Sequence, residues 1–349
     1  MATIREIANK ANVSPSTVSR VLNNDATLSV MDDTRQKILE IAKDLDYKTV
    51  QTRKSKQKHM GNNQLNIGII LCQSVEEELS DPYFLSIRQG IENECMNHGI
   101  SNSEIFRFHQ INADQFKIKM DGLIVVGKVN AEEIERFSLE TENIVYVDHS
   151  PDEDKYDAVV IDFVKATHRV IDYLLSLEYK KIGYIGARQV EHFNRENLKY
   201  EDERKATFEK RMHQEGLYKA KDIHVGEFTM SEGYRLMKEA IGQGNLPEAF
   251  YVASDPMAIG ALRALQEANL HVPQDVALVS VDDIEMAKFA STPLTTVKVQ
   301  TKLMGSIGAK LLLDRMNGRD IPLKVIVPTE LAIRESCGAV VKKGNKVSL

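Results

Sequence analysis

An alternation of two kinds of segment restricts this chain more than any other feature. Short apolar, β-branched runs recur from residue 66 onward: NIGIILC, DGLIVVG, NIVYVDH, DAVVID, KIGYIG, AFYVASD and DVALVSVDD. Amphipathic stretches such as YFLSIRQGIENECMNHG, FVKATHRVIDYLLSLEY, ERKATFEKRMHQEG and MAIGALRALQEANL lie between them. Strands without a polar face, joined by helices, predict parallel sheets covered by helices on both sides. The series is too long for one sheet of usual size, so the expected α/β body has two lobes.

The first 60 residues differ in texture. They hold 11 Lys and Arg against 7 Asp and Glu, a charge of +4, whereas the rest of the chain carries −10. KTVQTRKSKQKH supplies Lys48, Arg53, Lys54, Lys56 and Lys58 without one acid. A small basic head on an acidic body points to a polyanion as the head's partner, and on charge alone a solvated basic linker is the plain alternative.

The helical pattern decides between them. Thr3, three residues before Glu6, forms a capping box for a helix over Ile4, Ile7, Ala8 and Ala11. Ser14 is a good N-cap and Pro15 stands at the first helical position, where its missing N–H is no loss. Val18, Val21 and Leu22 then share one face. Asp32 or Asp33 is expected to cap a third helix lined by Ile38, Ile41, Ala42 and Leu45. Three short helices with a tight turn between the first two make a helix-turn-helix. The outer face of the second helix carries Ser16, Thr17, Ser19 and Arg20 where a generic surface helix carries Glu and Lys. Short donors near a helix N-terminus reach phosphates and base edges, and an arginine fork fits guanine, so the partner expected is double-stranded DNA.

In the body, ligands of open α/β sheets sit beyond the carboxyl ends of strands. Those ends carry Asp148, Ser254-Asp255 and Asp282-Asp283, and Arg204 opens a helix. Carboxylates and an arginine facing a cleft can each bridge two vicinal hydroxyls, which suits a sugar. Plainer readings stand beside these: helix N-caps for Asp148 and Asp255, a core position for Phe84, and a surface ion pair with Glu201 or Glu203 for Arg204. Asp283 is expected to do the capping that leaves Asp282 free for a ligand.

Several classes are disfavoured. There is no G-x-x-x-x-G-K-[ST] loop, no G-x-G-x-x-G after a strand, no G-x-S-x-G elbow and no H-E-x-x-H pair, so neither a catalytic site nor a cofactor is expected. EHFNREN is polar but has no mechanism attached and reads as a solvated loop. Cys72, Cys95 and Cys337 are few and far apart, and the nine histidines lack ligand spacing, so no metal or disulfide framework is expected. No apolar run approaches the roughly 18 residues of a membrane span and no signal peptide is apparent, which reads as cytoplasmic. A cytoplasmic sugar-processing enzyme is the alternative from another class.

TIREIANKANVSPSTVSRVLN resembles the N-terminal signature of the LacI/GalR family of bacterial transcription regulators. The likeness continues through TRQKILEIAKDLDYK and, more loosely, to about residue 335. It implies base-reading by Pro15, Ser16 and Arg20 and phosphate contacts from Thr3, Thr17, Ser19 and Asn23, with Arg53 and Lys54 of the linker joining the DNA-binding set. It implies a helix-turn-helix over 1–47, a hinge over 48–64 and a periplasmic-binding-protein-like body over 65–340. The first lobe would take 65–161 and 291–322, and the second 162–290 and 323–340. Arg204 and Asp282 match effector-contacting positions, Ser254 a position often held by Asn, and Phe228 an aromatic stacking position. Tyr83 and Phe84 match the effector-proximal start of the first lobe's first helix, and Asp148 completes the set. Val299 stands where some relatives place a glutamine.

One departure concerns the hinge. The family pattern P-N-x-x-A-R-x-L gives way to KTVQTRKSKQKH, with Thr49 for the proline and Ser55 or Lys56 at the leucine. An apolar wedge helps to kink DNA, so weaker operator bending is expected here. The resemblance implies a dimeric repressor on near-palindromic operators, released by a sugar inducer. It is closest in look to repressors of galactose and β-galactoside utilisation genes. A purine-type corepressor and a partner-gated regulator are the alternatives within the fold. GAVVKKGNKVSL has no heptad repeat, so a dimer is expected rather than a tetramer.

Overall fold

The computed structural model describes residues 4–22, 30, 32–44, 65–101, 103–107, 120–137, 141–190 and 199–339. The chain divides into two compact units, Met1–Leu65 and Asn66–Leu349.

The first unit contains α1 (Ile4–Ala11), α2 (Pro15–Leu22) and α3 (Asp32–Asp44). Between α1 and α2 the chain turns at Asn12, whose φ of 58° an asparagine tolerates. The Ser14 hydroxyl then accepts the Thr17 N–H at 3.1 Å, satisfying one of the free donors of α2. Ile7, Ala8, Ala11, Val18, Val21, Ile38 and Ala42 form one buried cluster, with Val13, Leu22, Val30 and Ile41 packed on its edge. Asp32 and Asp33 are both inside the first turn of α3 rather than before it, so neither is the N-cap.

The second unit runs β1 (Ile67–Leu71), α4 (Val75–Ser80), α5 (Pro82–Asn97), β2 (Ser103–Arg107), β3 (Gly122–Val126), α6 (Ala131–Phe137), β4 (Ile144–Val147), β5 (Asp157–Val160) and α7 (Phe163–Ser176). It continues through β6 (Ile182–Ala187), the short pair β7 (Gln189–Val190) and β8 (Lys199–Tyr200), α8 (Glu203–Gln214), β9 (Ile223–Gly226), α9 (Met230–Gly242), β10 (Ala249–Val252) and α10 (Asp255–Glu267). The last elements are β11 (Ala277–Asp282), α11 (Glu285–Phe289), β12 (Thr295–Lys298), α12 (Thr301–Met316), β13 (Lys324–Ile326) and β14 (Glu330–Ala332).

Two six-stranded sheets result, in the orders β13-β5-β4-β3-β1-β2 and β14-β12-β11-β10-β6-β9. Every neighbour pair is parallel except β12 and β14. Central strands such as β3, β6 and β10 are buried at every residue, as strands covered on both faces must be. The chain crosses between lobes after Val160, again after Lys298 and again after Ile326. The crossings expected at Ser291 and Pro322 are therefore too early: Thr295–Lys298 is still a strand of the second sheet and Lys324–Ile326 a strand of the first. β12 gives no long apolar run because Thr295 and Thr296 are buried polar residues whose hydroxyls are bonded, to the Arg334 carbonyl and to Asp255.

Each lobe also holds two helices in backbone contact. A methyl group on Gly90 of α5 would lie 2.1 Å from the Lys302 carbonyl oxygen, and one on Gly305 of α12 2.0 Å from that of Ile87. Gly233 of α9 and Gly260 of α10 meet in the same way in the second lobe, so only glycine permits either approach. Among the described residues no helix is long and apolar enough to cross a membrane.

Candidate functional site

On α2 the valines turn inward, leaving Pro15, Ser16 and Arg20 exposed and Thr17 and Ser19 half-buried. The Ser14 hydroxyl lies 2.7 Å from that of Ser16 and 2.8 Å from that of Thr17, so three hydroxyls gather at the helix N-terminus. This end presents hydroxyl and backbone donors, with Arg20 further along the helix. Such a surface can grip phosphates and read base edges. Thr3, Asn23, Arg53 and Lys54 lie outside the described residues, as do hinge residues 48–64, the EHFNREN loop and the tail from residue 340.

A cavity of about 1370 Å³ opens at the carboxyl ends of both sheets. Tyr83, Phe84, Asp148, Arg204, Phe228, Ser254 and Asp282 all line it.

Arg204 is buried in the first turn of α8. It donates from Nε and Nη2 to the two oxygens of Asp202 at 2.9 and 2.6 Å, and from Nη1 to the Ala253 carbonyl at 2.8 Å. Phe163 and Phe228 contact the guanidinium carbon, their ring centres 4.5 and 4.8 Å away. Of five N–H donors, these bonds leave one on each terminal nitrogen. Burial works against both charges, but the ion pair prevails: the Asp202 pKa is lowered and that of Arg204 raised. The surface pair with Glu201 or Glu203 is not formed; Asp202, which also caps α8, takes that role.

Asp148 follows β4 at a φ of 69° and accepts the Tyr83 hydroxyl at 2.8 Å. No helix starts there, so it is not an N-cap. Burial raises its pKa to about 6, against the bond from Tyr83 and the attraction of Arg204. Phe84 has a double position: it packs on the core of the first lobe and also lines the cavity.

The cap of α10 is Ser254, and Asp255 lies behind it, fully buried. Asp255 accepts the hydroxyls of Ser280 and Thr296 at 2.5 and 2.7 Å and the Ile284 N–H at 2.9 Å, which makes it a brace between strands. Burial raises its pKa to about 7, against those bonds. Asp282 ends β11 at a φ of 120°, backbone that a non-glycine residue occupies at a cost and that recurs in functional sites. Its pKa is raised by burial first, then by the neighbouring carboxylates Asp255 and Asp81. Asp283 does not cap the next helix: Ile284 is the N-cap of α11, and Asp283 accepts from Arg334 at 2.5 Å instead.

Asp81, Lys128, Phe163 and Asp202 belong to this constellation without having been singled out from the sequence. Lys128, beyond β3 of the first lobe, donates to the side chain of Gln189 in the second. Val299 is buried and is not a lining residue.

These two surfaces can be set against known proteins. Residues 3–49 match the model for bacterial regulatory proteins of the lacI family, and residues 171–337 that for a periplasmic binding protein-like domain. The HTH-type transcriptional repressor MelR of Bacillus subtilis (strain 168) is 47% identical over 351 residues, covering 98% of this chain and 99% of that protein. The HTH-type transcriptional regulator GalR of Lacticaseibacillus casei is 35% identical over 339 residues, covering 96% and 99%. A complex of the transcriptional regulator CelR with cellobiose shares the fold at a TM-score of 0.67 and 24% identity, covering 96% of this chain and 100% of that one. The lac repressor dimer bound to operator and the anti-inducer ONPF shares it at 0.67 and 22%, covering 96% and 99%. From the match over residues 3–49 and the full-length relatives, the chain belongs to the lacI family of bacterial regulatory proteins.

Proposed function

We propose that this protein is a dimeric repressor of sugar-utilisation genes, released from a near-palindromic operator by a sugar of galactose type. One observation carries the ligand class. A buried arginine between two aromatic rings keeps one N–H on each terminal nitrogen, inside a cavity that Asp148 and Asp282 also line. Two donors on neighbouring nitrogens can serve a pair of vicinal hydroxyls, carboxylates accept from others, and aromatic rings cover the apolar face of a sugar. In this reading Tyr83, Phe84, Phe228 and Ser254 shape the pocket, while Pro15, Ser16, Thr17, Ser19 and Arg20 contact the operator, joined by Thr3, Asn23, Arg53 and Lys54. The chain acts by binding and by coupling its two ligands rather than by catalysis, as befits a family of transcription regulators.

A thermal-shift panel of galactose, lactose, melibiose, glucose, a pentose and a purine tests this. A ligand at about 100 times its Kd adds roughly 2.7 kcal/mol, which shifts Tm by several degrees. The expected result is a selective shift with a galactoside that also releases operator DNA. A shift with the purine alone, accompanied by tighter operator binding, would replace the inducer reading with a corepressor.

A further inference from the structure

Among the described residues, eight carboxylates and five cationic side chains line the cavity. Among these cations Arg204 is buried, with Asp202 already balancing its charge, and Lys128 is half-buried, donating to Gln189 and attracting Asp148. Arg263 and Lys324 are exposed and paired with Glu267 and Glu153, and Arg188 is exposed. Helix N-termini are the usual seats for phosphate groups. Three of those near the cleft are already capped by carboxylates: Asp81 on α5, Asp162 on α7 and Asp202 on α8. Asp81 and Asp148 come from the first lobe and Asp282 from the second. Burial raises the pKa of all three, and in Asp282 the neighbouring acids add to it. Carboxylates whose pKa is raised by burial and by one another mark a place that is both dry and negative, and a phosphate dianion would meet the same two penalties. The volume, about 1370 Å³, exceeds the roughly 300–1,000 Å³ of pockets that hold drug-sized ligands.

We propose that the effector is an uncharged sugar of more than one ring, and that Asp81, Asp148 and Asp282 exclude the phosphorylated form of the same sugar. The inference rests on the sugar reading above and narrows it. It places the effector ahead of any kinase step: the sugar reaches the regulator by uptake without phosphorylation, and glycosidic hydrolysis or phosphorylation consumes it.

The test is calorimetric titration of the full-length protein with lactose and melibiose, each against its 6-phosphate. A neutral sugar should bind, and its phosphate should bind at least about 100-fold more weakly. Asp81→Asn keeps the cap on α5, since asparagine caps as well as aspartate, and should narrow that gap to roughly tenfold. Raising the salt should narrow it too. A phosphate that binds as well as its parent sugar would overturn the inference and leave the sugar reading standing. A gap indifferent to both salt and Asp81→Asn would assign the exclusion to shape and overturn it as well. Silence from both sugars in both forms, with a purine base binding instead, would remove the sugar reading and this inference together.

Discussion

At the scale of single residues, the cleft is organised by how each charge is compensated. Arg204 keeps its charge in a buried place because Asp202 lies two residues away on the same helix start. Asp148 has a hydroxyl and a distant guanidinium instead, and its pKa rises to about 6 from an ordinary 3.8. Below the ordinary value the carboxyl is neutral whether folded or unfolded. Above about 6 it is ionised in both states and its burial cost is fully felt. The wild-type protein should therefore lose stability from this group as pH rises through that window. Asp148→Asn does not titrate and can still accept from Tyr83. It should be more stable than wild type by about 1–3 kcal/mol at pH 8, with the advantage gone near pH 4. Denaturant unfolding of both proteins across pH checks this, and an advantage constant with pH would rule it out. Strand-end logic reached Asp148 and Asp282 from sequence, and the helix start together with the family resemblance reached Arg204. Asp202 and Phe163 were not reached, because an acid before a helix and an aromatic after a crossing are ordinary until the fold brings them onto the arginine.

At the scale of elements, caps and contact glycines carry the structure. Ser14 holds the N-terminus of α2 through Thr17, so Ser14→Ala should destabilise the first unit by about 1 kcal/mol. Thermal unfolding followed by helix circular dichroism reads this out, and operator affinity should fall with it. Gly305→Ala puts a methyl group 2.0 Å from the Ile87 carbonyl oxygen, and backbone cannot yield as a side-chain tip can. It should cost about 1–3 kcal/mol or more by forcing α5 and α12 apart. An unchanged Tm would show that the helices part freely. Helices with one apolar stripe, such as α1, α2 and α7, are legible because the period of their apolar residues is set by the one face they bury. α12 is less so: Leu303 is exposed beside Lys302 while Leu311, Leu312 and Leu313 are all buried in succession, so its apolar residues do not mark out one face. Edge strands β2 and β13 show too little apolar sequence to announce themselves, because part of each faces solvent.

At the scale of the whole molecule, operator binding and effector binding are properties of one equilibrium. If the sugar weakens operator affinity by some factor, the operator must weaken sugar affinity by the same factor. Titrating the effector into free protein and into the protein–operator complex measures both sides. Unequal factors would mean that a third species, such as a change of oligomeric state, takes part. Operator binding that leans on basic residues should also fall steeply with salt, by counterion release.

What the sequence determined by itself was local and periodic: three head helices, a hydroxyl-bearing face on α2, and a series of buried parallel strands with acids at their ends. Those features follow from capping, helical period and burial on both faces, all of which are written within a few residues of where they act. What only the tertiary structure decided was where the chain crosses between lobes, which acid supports which charge, and which helices touch through glycine. The two threonines that disguise β12 are bonded to partners about 40 residues away, and no local pattern can announce such a bond. The pairing of Asp81 with Asp282 across the cleft has the same origin, since electrostatic coupling depends on distance in space and is blind to distance along the chain.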